Sequence, residues 1–355
     1  MKIVAIRVEL KNLALTKPYT IARHTITDVE NVVVKIELDN GIVGTGTASP
    51  AEEVVGETCA QTFEHCSSDF FQDFRGRDIR HFRLMIAETK ATFPHFPGVQ
   101  AAFDIALHDA FGQYLDIPVV AFYGQKITAL PTSVTIGIMP VHETLAEAEA
   151  FAALGFRVFK VKTGTDREED VARILRLRER FGGQFTLRVD ANQGYSLDDL
   201  NYFIRETQHA GIELIEQPLL VGHDGQLLEL DQSIRKILVA DEVLKTPADA
   251  LRLAHAPRPY GIYNIKLMKC GGIIGALDIA SIARTADIEL FWGCNDESIV
   301  SITAALHAAF ACENTRYIDL DGSFDLATDV VKGGFILENG WMRPNGKPGL
   351  GVSEK

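Results

Sequence analysis

FRVFKVKTGTDREEDVARILRLRERFGGQFTLRVD, residues 156–190, carries the pattern from which the fold follows. It opens on FRVFKVK (156–162), a short apolar run rich in β-formers. Residues 167–181 then follow an amphipathic helical pattern, and FTLRVD (185–190) closes the stretch as a second apolar run. Nearly continuous apolar strands joined by a helix form a βα repeat, and such strands belong to parallel sheets buried on both faces. Each run also ends on charge: Lys160 and Lys162 at the first, Asp190 at the second.

The repeat continues on both sides. PTSVTIGI (131–138) precedes it, and IELIEQP (212–218), KILVADE (236–242), GIYNIKL (261–267), IELFWG (288–293) and RYIDLD (316–321) follow. Amphipathic stretches at 143–154, 197–209, 271–286 and 297–311 lie between strands. Eight such strands predict a closed barrel. Their polar ends are regular as well: Glu216, Asp241 and Lys266 continue the series, and Asp319 with Asp321 ends the eighth strand. The steps from Lys162 through Asp190, Glu216, Asp241 and Lys266 are 28, 26, 25 and 25 residues, one repeat each. In a closed barrel these side chains converge on the C-terminal rim, where such barrels place their chemistry.

The N-terminal third reads differently. Residues 2–10 and NVVVKIEL (31–38) are strands, and Asp39-Asn40-Gly41 predicts a hairpin to 42–48. Helical patterns follow near 58–70, 79–90 and 98–115, with Gly112 expected to allow close packing. The expected organisation is an α+β domain over 1–125, a barrel over 126–324 and a glycine-rich tail, 325–355, returning to the first domain.

Composition narrows the function classes. The formal charge is −13, from 35 basic and 48 acidic residues, with no basic run, which argues against nucleic acid. No apolar run approaches bilayer length. The five cysteines are scattered without a C-x-x-C, and MKIVAIRVELKNL reads as a strand and not as a secretory signal, so a reducing, cytoplasmic setting is expected.

The rim residues specify a chemistry. One acid alone would be read as a helix cap. Asp190, Glu216 and Asp241 from adjacent strands would repel one another unless a cation neutralised them, and hard oxygen ligands suit Mg²⁺. Lys160 and Lys162, two apart, share one strand face; crowding and desolvation are expected to lower a lysine pKa there toward that of a base. Lys266 approaches from around the ring. A cation between opposed lysines suits proton abstraction α to a carboxylate, with the developing charge stabilised by the metal. Such a proton is far less acidic than a lysine, and each pKa unit of mismatch costs about 1.4 kcal/mol, so metal and lysine must cooperate.

FKVKTG, RVDANQGY, ELIEQP, VADEV and NIKLMKCGG, with AAFDIALHDAFG (101–112), resemble the muconate-lactonizing subgroup of the enolase superfamily over essentially the whole chain. The resemblance implies a (β/α)7β TIM-like barrel with an α+β capping domain built from both termini. It implies Asp190, Glu216 and Asp241 as ligands of one Mg²⁺, Lys162 and Lys266 as the acid/base pair, and Lys160 as an auxiliary cation. Within the subgroup, an Asp-x-Asp on the eighth strand, here Asp319-Leu320-Asp321, resembles that of dipeptide epimerases. Two carboxylates there can hold a substrate ammonium at a fixed distance from the metal.

The expected reaction is 1,1-proton transfer through an enediolate, inverting the C-terminal residue of an L,L-dipeptide. The resemblance places the loops YTIARHTI (19–26) and SPAEEVVGE (49–57) over the site, making Arg23, His24, Glu52 and Glu53 candidate substrate contacts. GCNDES (293–298) adds Asp296 and Glu297, and Thr135 is a candidate pocket wall. Alanyl-glutamate would call for a cation near the second side chain; Asp296 and the loop acids suit cationic or polar side chains instead. Asn192 and Glu242 are expected to support the metal ligands. Cys270 and Cys294 read as packing residues. Gly271-Gly272 reads as a tight turn, with a phosphate site as the alternative. A cycloisomerase or o-succinylbenzoate synthase would share the lysines and acids but has no ammonium to grip. A non-catalytic peptide-binding barrel would be expected to have lost one of them. Barrels of this kind commonly associate, so a homo-oligomer is an expectation.

Overall fold

The computed structural model describes residues 1–21 and 24–355. The barrel is an eight-stranded sheet in sequential order: Val134–Ile136, Val158–Lys162, Thr186–Asp190, Ile212–Glu216, Leu238–Ala240, Ile262–Ile265, Glu289–Trp292 and Thr315–Ile318, each pairing parallel with the next. The ring closes where Thr132 bridges Ile318 in parallel and Ser133 N–H donates to the Ile318 carbonyl at 3.2 Å. Helices Val141–Ala153, Arg167–Phe181, Leu197–Thr207, Ile273–Thr285 and Ile299–Phe310 pack outside. Asp166 caps the helix at Arg167 from its side chain, and Ser196 and Thr246 close capping boxes, so short polar residues start these helices where the repeat needs them.

Strand register sets the height of the site. Lys162 pairs with Asp190, and Asp190 with Glu216, so three functional side chains leave three neighbouring strands at one level.

The capping domain holds an antiparallel sheet, Ile3–Ile21, His24–Leu38 and Val43–Ala48, against helix Pro97–Leu115. The first strand runs well past the expected 2–10. The hairpin at 39–41 forms as expected, with Leu38 N–H bonded to the Ile42 carbonyl at 2.8 Å. The helical stretch at 58–70 divides into Cys59–Cys66, with a Thr58–Gln61 capping box, and a 3-10 turn over Asp69–Phe74 that buries Phe71 and Phe74. Gly44 and Gly46 let the helix lie directly on the sheet: a Cβ at either would fall within 2.3 Å of a helix carbonyl oxygen, that of Ala106 or Ala102. At Gly112 a Cβ would meet the Gly349 Cα at 2.8 Å, which is the close packing expected there.

The two parts are locked together. Asp104, on the capping-domain helix, accepts from Ile273 N–H (2.9 Å) and Ile274 N–H (3.1 Å), the first turn of a barrel helix. Those are the donors a phosphate would need after Gly271-Gly272, so the structure rules that alternative out. The two glycines instead turn with φ of +74° and +94° beneath Gln100 and Asp104. The segment after 325 bridges both parts: Leu326 pairs with Leu15, Leu350 N–H donates to Asp109 at 2.8 Å, and Trp341–Pro344 pairs with Leu130–Pro131. Among the described residues no helix is long and apolar enough to cross a membrane.

Candidate active site

At the rim, lysines and carboxylates interleave. Lys160, 3% exposed, lies 2.8 Å from Glu216, 2.8 Å from Asp319 and 3.1 Å from Asp190. Lys162 Nζ donates to Asp190 Oδ2 at 2.7 Å and to Asn192 Oδ1 at 2.8 Å. On the opposite side Lys266 Nζ donates to Asp241 Oδ2 at 2.8 Å. Lys162 and Lys266 therefore reach different members of one acid trio, from strands two and six. Both remain partly open, whereas Asp190, Glu216 and Asp241 are buried.

The acids are held from behind. Asn264 donates to Glu216 Oε1 at 2.5 Å. Lys269 contacts the Asp241 carboxylate, its carbonyl at 2.7 Å and the Asn264 carbonyl at 3.1 Å. Gln217, at φ +30°, accepts from the N–H groups of Asp241 (3.0 Å) and Val243 (3.3 Å), and its amide is anchored on Tyr260. Asn192 Nδ2 donates to Glu242 Oε1 at 3.2 Å, joining Lys162 to Glu242 through one side chain. Asn192 N–H also donates to Asp190 Oδ1 at 3.0 Å, so Asn192 touches both Lys162 and an acid, and Glu242 meets Asn192. Lys269, Asn264 and Gln217 were not singled out from sequence, although Lys269 and Asn264 both stand in NIKLMKCGG.

The electrostatics correct one expectation. Burial alone would lower the Lys266 ammonium, but Asp241 and Glu216 outweigh it and raise it above the ordinary lysine value; Lys160 is likewise raised, by Asp190 and Asp319. At Lys160 crowding by the like charge of Lys162 does not govern, because Asp190 contacts both ammoniums. Among the acids, burial raises Glu216 to about 8, helped by Asp190, whereas lysines overcome burial at Asp190 and Asp241 and hold both low.

The donor set suits a divalent cation. It consists of three buried carboxylates, all oxygen, on adjacent strands. Glu216 Oε2 is within 2.8 Å of Lys160 yet has no aligned hydrogen bond, and Glu242 Oε2 has none either. Buried carboxylate oxygens without donors are costly unless a cation meets them. Among the described residues no three His, Cys, Asp or Glu side chains close on one point as a finished cage; the carboxylates are turned toward the lysine ammoniums.

The eighth-strand acids differ from each other. Asp319 is 5% exposed and paired to Lys160 and to Ser133 Oγ (2.6 Å). Asp321 is half-buried and accepts Thr135 N–H at 2.8 Å, which places Thr135 beside it. Burial, then Asp319, pushes the Asp321 carboxyl up to about 7. Cys294 accepts from Gly322 N–H at 3.3 Å and donates to the Asp319 carbonyl at 3.3 Å, which fits a packing residue.

Asp296 lies on a loop tied across the domains. Asn295 Nδ2 donates to the Ser49 carbonyl at 2.9 Å, Ser298 N–H to Asn31 Oδ1 at 3.2 Å, and Ser298 Oγ to Asp329 at 2.7 Å. Lys245 anchors the 49–57 loop through the Val54 carbonyl. The exposed Glu52 and Glu53 therefore stand on a segment docked against the Asp296 loop. Ser298 caps the following helix, accepting from Val300 N–H, so the loop starts a helix as well as docking on the capping domain. Glu297 is buried, bonded to Asn295 N–H at 2.9 Å, and raised to about 7 by burial. Arg23 and the His24 side chain lie outside the described residues.

Comparison with known proteins agrees with this geometry. Residues 3–124 match the mandelate racemase/muconate lactonizing enzyme N-terminal domain, and residues 143–354 match the enolase C-terminal domain-like family. The chain is 53% identical over 352 residues to an L-Lys-D/L-Arg epimerase of Desulforapulum autotrophicum, covering 99% of each chain. It is 50% identical over 352 residues, with the same coverage, to an L-Lys-D/L-Arg epimerase of Methylococcus capsulatus. A crystal structure of a Methylococcus capsulatus dipeptide epimerase with Mg and the dipeptide L-Arg-D-Lys is similar at a TM-score of 0.97 and 50% identity, covering 99% of each chain.

Proposed function

We propose, from the premise that this chain belongs to the mandelate racemase/muconate lactonizing enzyme family of the enolase superfamily, that it epimerises the C-terminal residue of dipeptides bearing cationic side chains. The observation that carries this reading is the placement of Lys162 and Lys266 on opposite sides of one buried acid trio, Lys162 on Asp190 and Lys266 on Asp241.

In this reading Asp190, Glu216 and Asp241 hold Mg²⁺. Its chemistry there is charge neutralisation beside the substrate carboxylate, which lowers the cost of forming an enediolate at the α-carbon. Lys162 or Lys266, in its neutral form, takes the α-proton from one face. The other lysine, protonated, gives its proton to the opposite face. The base ends as an ammonium and the acid as an amine, so each exchanges a proton with solvent before the next turnover in the same direction. Asn192, braced by Glu242, holds Lys162 in line, Asn264 holds Glu216 and Lys269 holds Asp241.

Asp321, with Thr135 fixing it, takes the substrate's N-terminal ammonium. Asp296, Glu52 and Glu53 give the rim a negative face suited to lysine or arginine side chains. The two relatives at 50–53% identity, named for lysyl-arginine, support that choice over alanyl-glutamate. The test is incubation with MgCl₂ and L-Lys-L-Arg or L-Ala-L-Glu, with products separated by chiral chromatography. Conversion of L-Lys-L-Arg to its D-Arg epimer is expected, with little turnover of L-Ala-L-Glu. The opposite preference would contradict the cationic reading.

A further inference from the structure

We infer that Asp170, on the outer helix after the second strand, is a positioning residue for Lys162: with Arg173 and Tyr195 it clamps the turns after the first three strands and so aims one base of the pair, while Lys266 takes its support elsewhere. The inference rests on the reading of Lys162 and Lys266 as bases working from opposite faces.

The helix Arg167–Phe181 carries charge along much of its length, yet Asp170 and Arg173, one turn apart, are each 1% exposed. Capping does not explain the acid, because Asp166 already accepts from Glu168 and Glu169 N–H. A buried ion pair is costly unless its other polar atoms find partners. The partners lie in the loops at the rim. Asp170 Oδ2 accepts Gly164 N–H at 2.8 Å and the Tyr195 hydroxyl at 2.7 Å, and Oδ1 accepts from the Arg173 guanidinium. Arg173 Nη1 reaches the Gly137 carbonyl at 3.4 Å. Gly137, Gly164 and Tyr195 follow strands one, two and three.

Two of these turns carry the base. Gly164 comes just after Lys162, and Tyr195 just after Asn192. Asn192 accepts from Lys162 Nζ at 2.8 Å, and its N–H donates to Asp190 Oδ1 at 3.0 Å. The two backbones touch directly: a Cβ on Gly164 would run into the Ala191 carbonyl oxygen, and one on Gly194 into the Gly164 carbonyl oxygen. Thr163 N–H donates to the Asp190 carbonyl at 2.8 Å. Asn192 and Gln193 stand at φ of +40° and +69°, which residues with side chains keep only where their surroundings hold them. One oxygen of Asp170 holds both turns at once, and Tyr195 N–H ties the second of them to the Pro218 carbonyl at 3.0 Å.

The other base is supported differently. Lys266 is bonded to Asp241, and Asp241 is held by Lys269 from the short helix Leu267–Cys270 after the sixth strand. Weakening Asp170 should therefore let Lys162 and Asn192 drift while Lys266 keeps its aim. A misplacement of about 1 Å at a reacting group costs on the order of 100-fold in rate.

The test is proton NMR of α-proton exchange in D₂O with MgCl₂, starting from L-Lys-L-Arg and, separately, from L-Lys-D-Arg. It uses the wild type and the variants Lys162→Ala, Asp170→Asn and Tyr195→Phe. The epimer that Lys162→Ala fails to exchange is the one whose α-proton faces Lys162. Asp170→Asn should slow exchange of that epimer at least about tenfold more than exchange of the other. Tyr195→Phe, which removes one hydrogen bond, should do the same by roughly threefold. Inversion should fall in both directions, since each direction needs Lys162 as base or as acid. A role in stability alone would lower the two exchanges together. Tyr195→Phe decides the matter if Asp170→Asn, which removes the charge paired with buried Arg173, does not fold. Exchange of the two epimers that is unchanged or equally lowered, or a selective loss on the epimer facing Lys266, would overturn the positioning role. A wild type that exchanges neither dipeptide, or a Lys162→Ala variant that exchanges both, would instead overturn the reading of the lysine pair.

Discussion

The inner ring of the site and its outer rim are built by different rules. The ring, Lys160, Lys162, Asp190, Glu216, Asp241 and Lys266, comes from the ends of consecutive strands of one sheet, and strand register sets its geometry. The rim around Asp296 is assembled from three distant parts of the chain: the seventh-strand loop, the capping-domain segments at Asn31 and Ser49, and Asp329 in the tail. A register is hard to alter without losing the sheet. A docked loop can change its side chains while its backbone anchors persist. The ring is thus suited to fix the reaction and the rim to choose the substrate.

The sharpest way to break that comparison is to remove a ring lysine. Lys162→Ala and Lys266→Ala should each abolish epimerisation. Each should still exchange the α-proton of one epimer in D₂O, the two variants choosing opposite epimers, as proton NMR would read. Exchange of both epimers by either variant would show that the lysines do not work from opposite faces. Next in size, Glu216→Gln should weaken Mg²⁺ binding in calorimetry by more than the roughly 10–100-fold that loss of a supporting residue costs. Unchanged affinity would remove Glu216 from the metal site.

Rim changes should be smaller and selective. Asp296→Asn is expected to lower kcat/KM for lysine- and arginine-containing dipeptides roughly three- to tenfold relative to neutral ones, with the metal affinity unchanged. An equal loss on all dipeptides would place Asp296 with the ring. The pH dependence distinguishes the amino end. Asp321 is raised to about 7, so its carboxylate is present above that pH and is lost as pH falls through it. For free-amine dipeptides kcat/KM should therefore fall on the acid side of about pH 7, and Asp321→Asn should flatten that limb. A limb unchanged in Asp321→Asn would assign it to another group.

The difference between ring and rim also explains what the sequence made legible. Metal and base chemistry restrict the residue types, and the βα repeat restricts their spacing, so Asp190, Glu216, Asp241, Lys162 and Lys266 stand out at steps of 25–28 residues. The fold was readable for the same reason. Contacts made only by tertiary docking left no such trace. Asp104 caps a barrel helix 169 residues away, and Ser298 finds Asn31 across 267. Lys269 reaches Asp241 because a short helix, Leu267–Cys270, turns it back under the strand ends. The spacing of Asp319 and Asp321 did not show their different partners: the strand ends before them, Asp319 meets Lys160 and Ser133, and Asp321 meets Thr135. At Lys160 the pKa expectation failed because sequence order shows which charges are near in the chain, not which carboxylates fold between them.

The most direct measurement of the central claim is deuterium uptake from D₂O by a pooled L,L-dipeptide library in the presence of the protein and Mg²⁺, read by mass spectrometry. The account predicts a gain of one deuteron at the α-carbon of the C-terminal residue, concentrated in dipeptides carrying lysine or arginine. Uptake confined to alanyl-glutamate would contradict the cationic rim, and no uptake by any dipeptide with the metal bound would contradict the assignment of the ring.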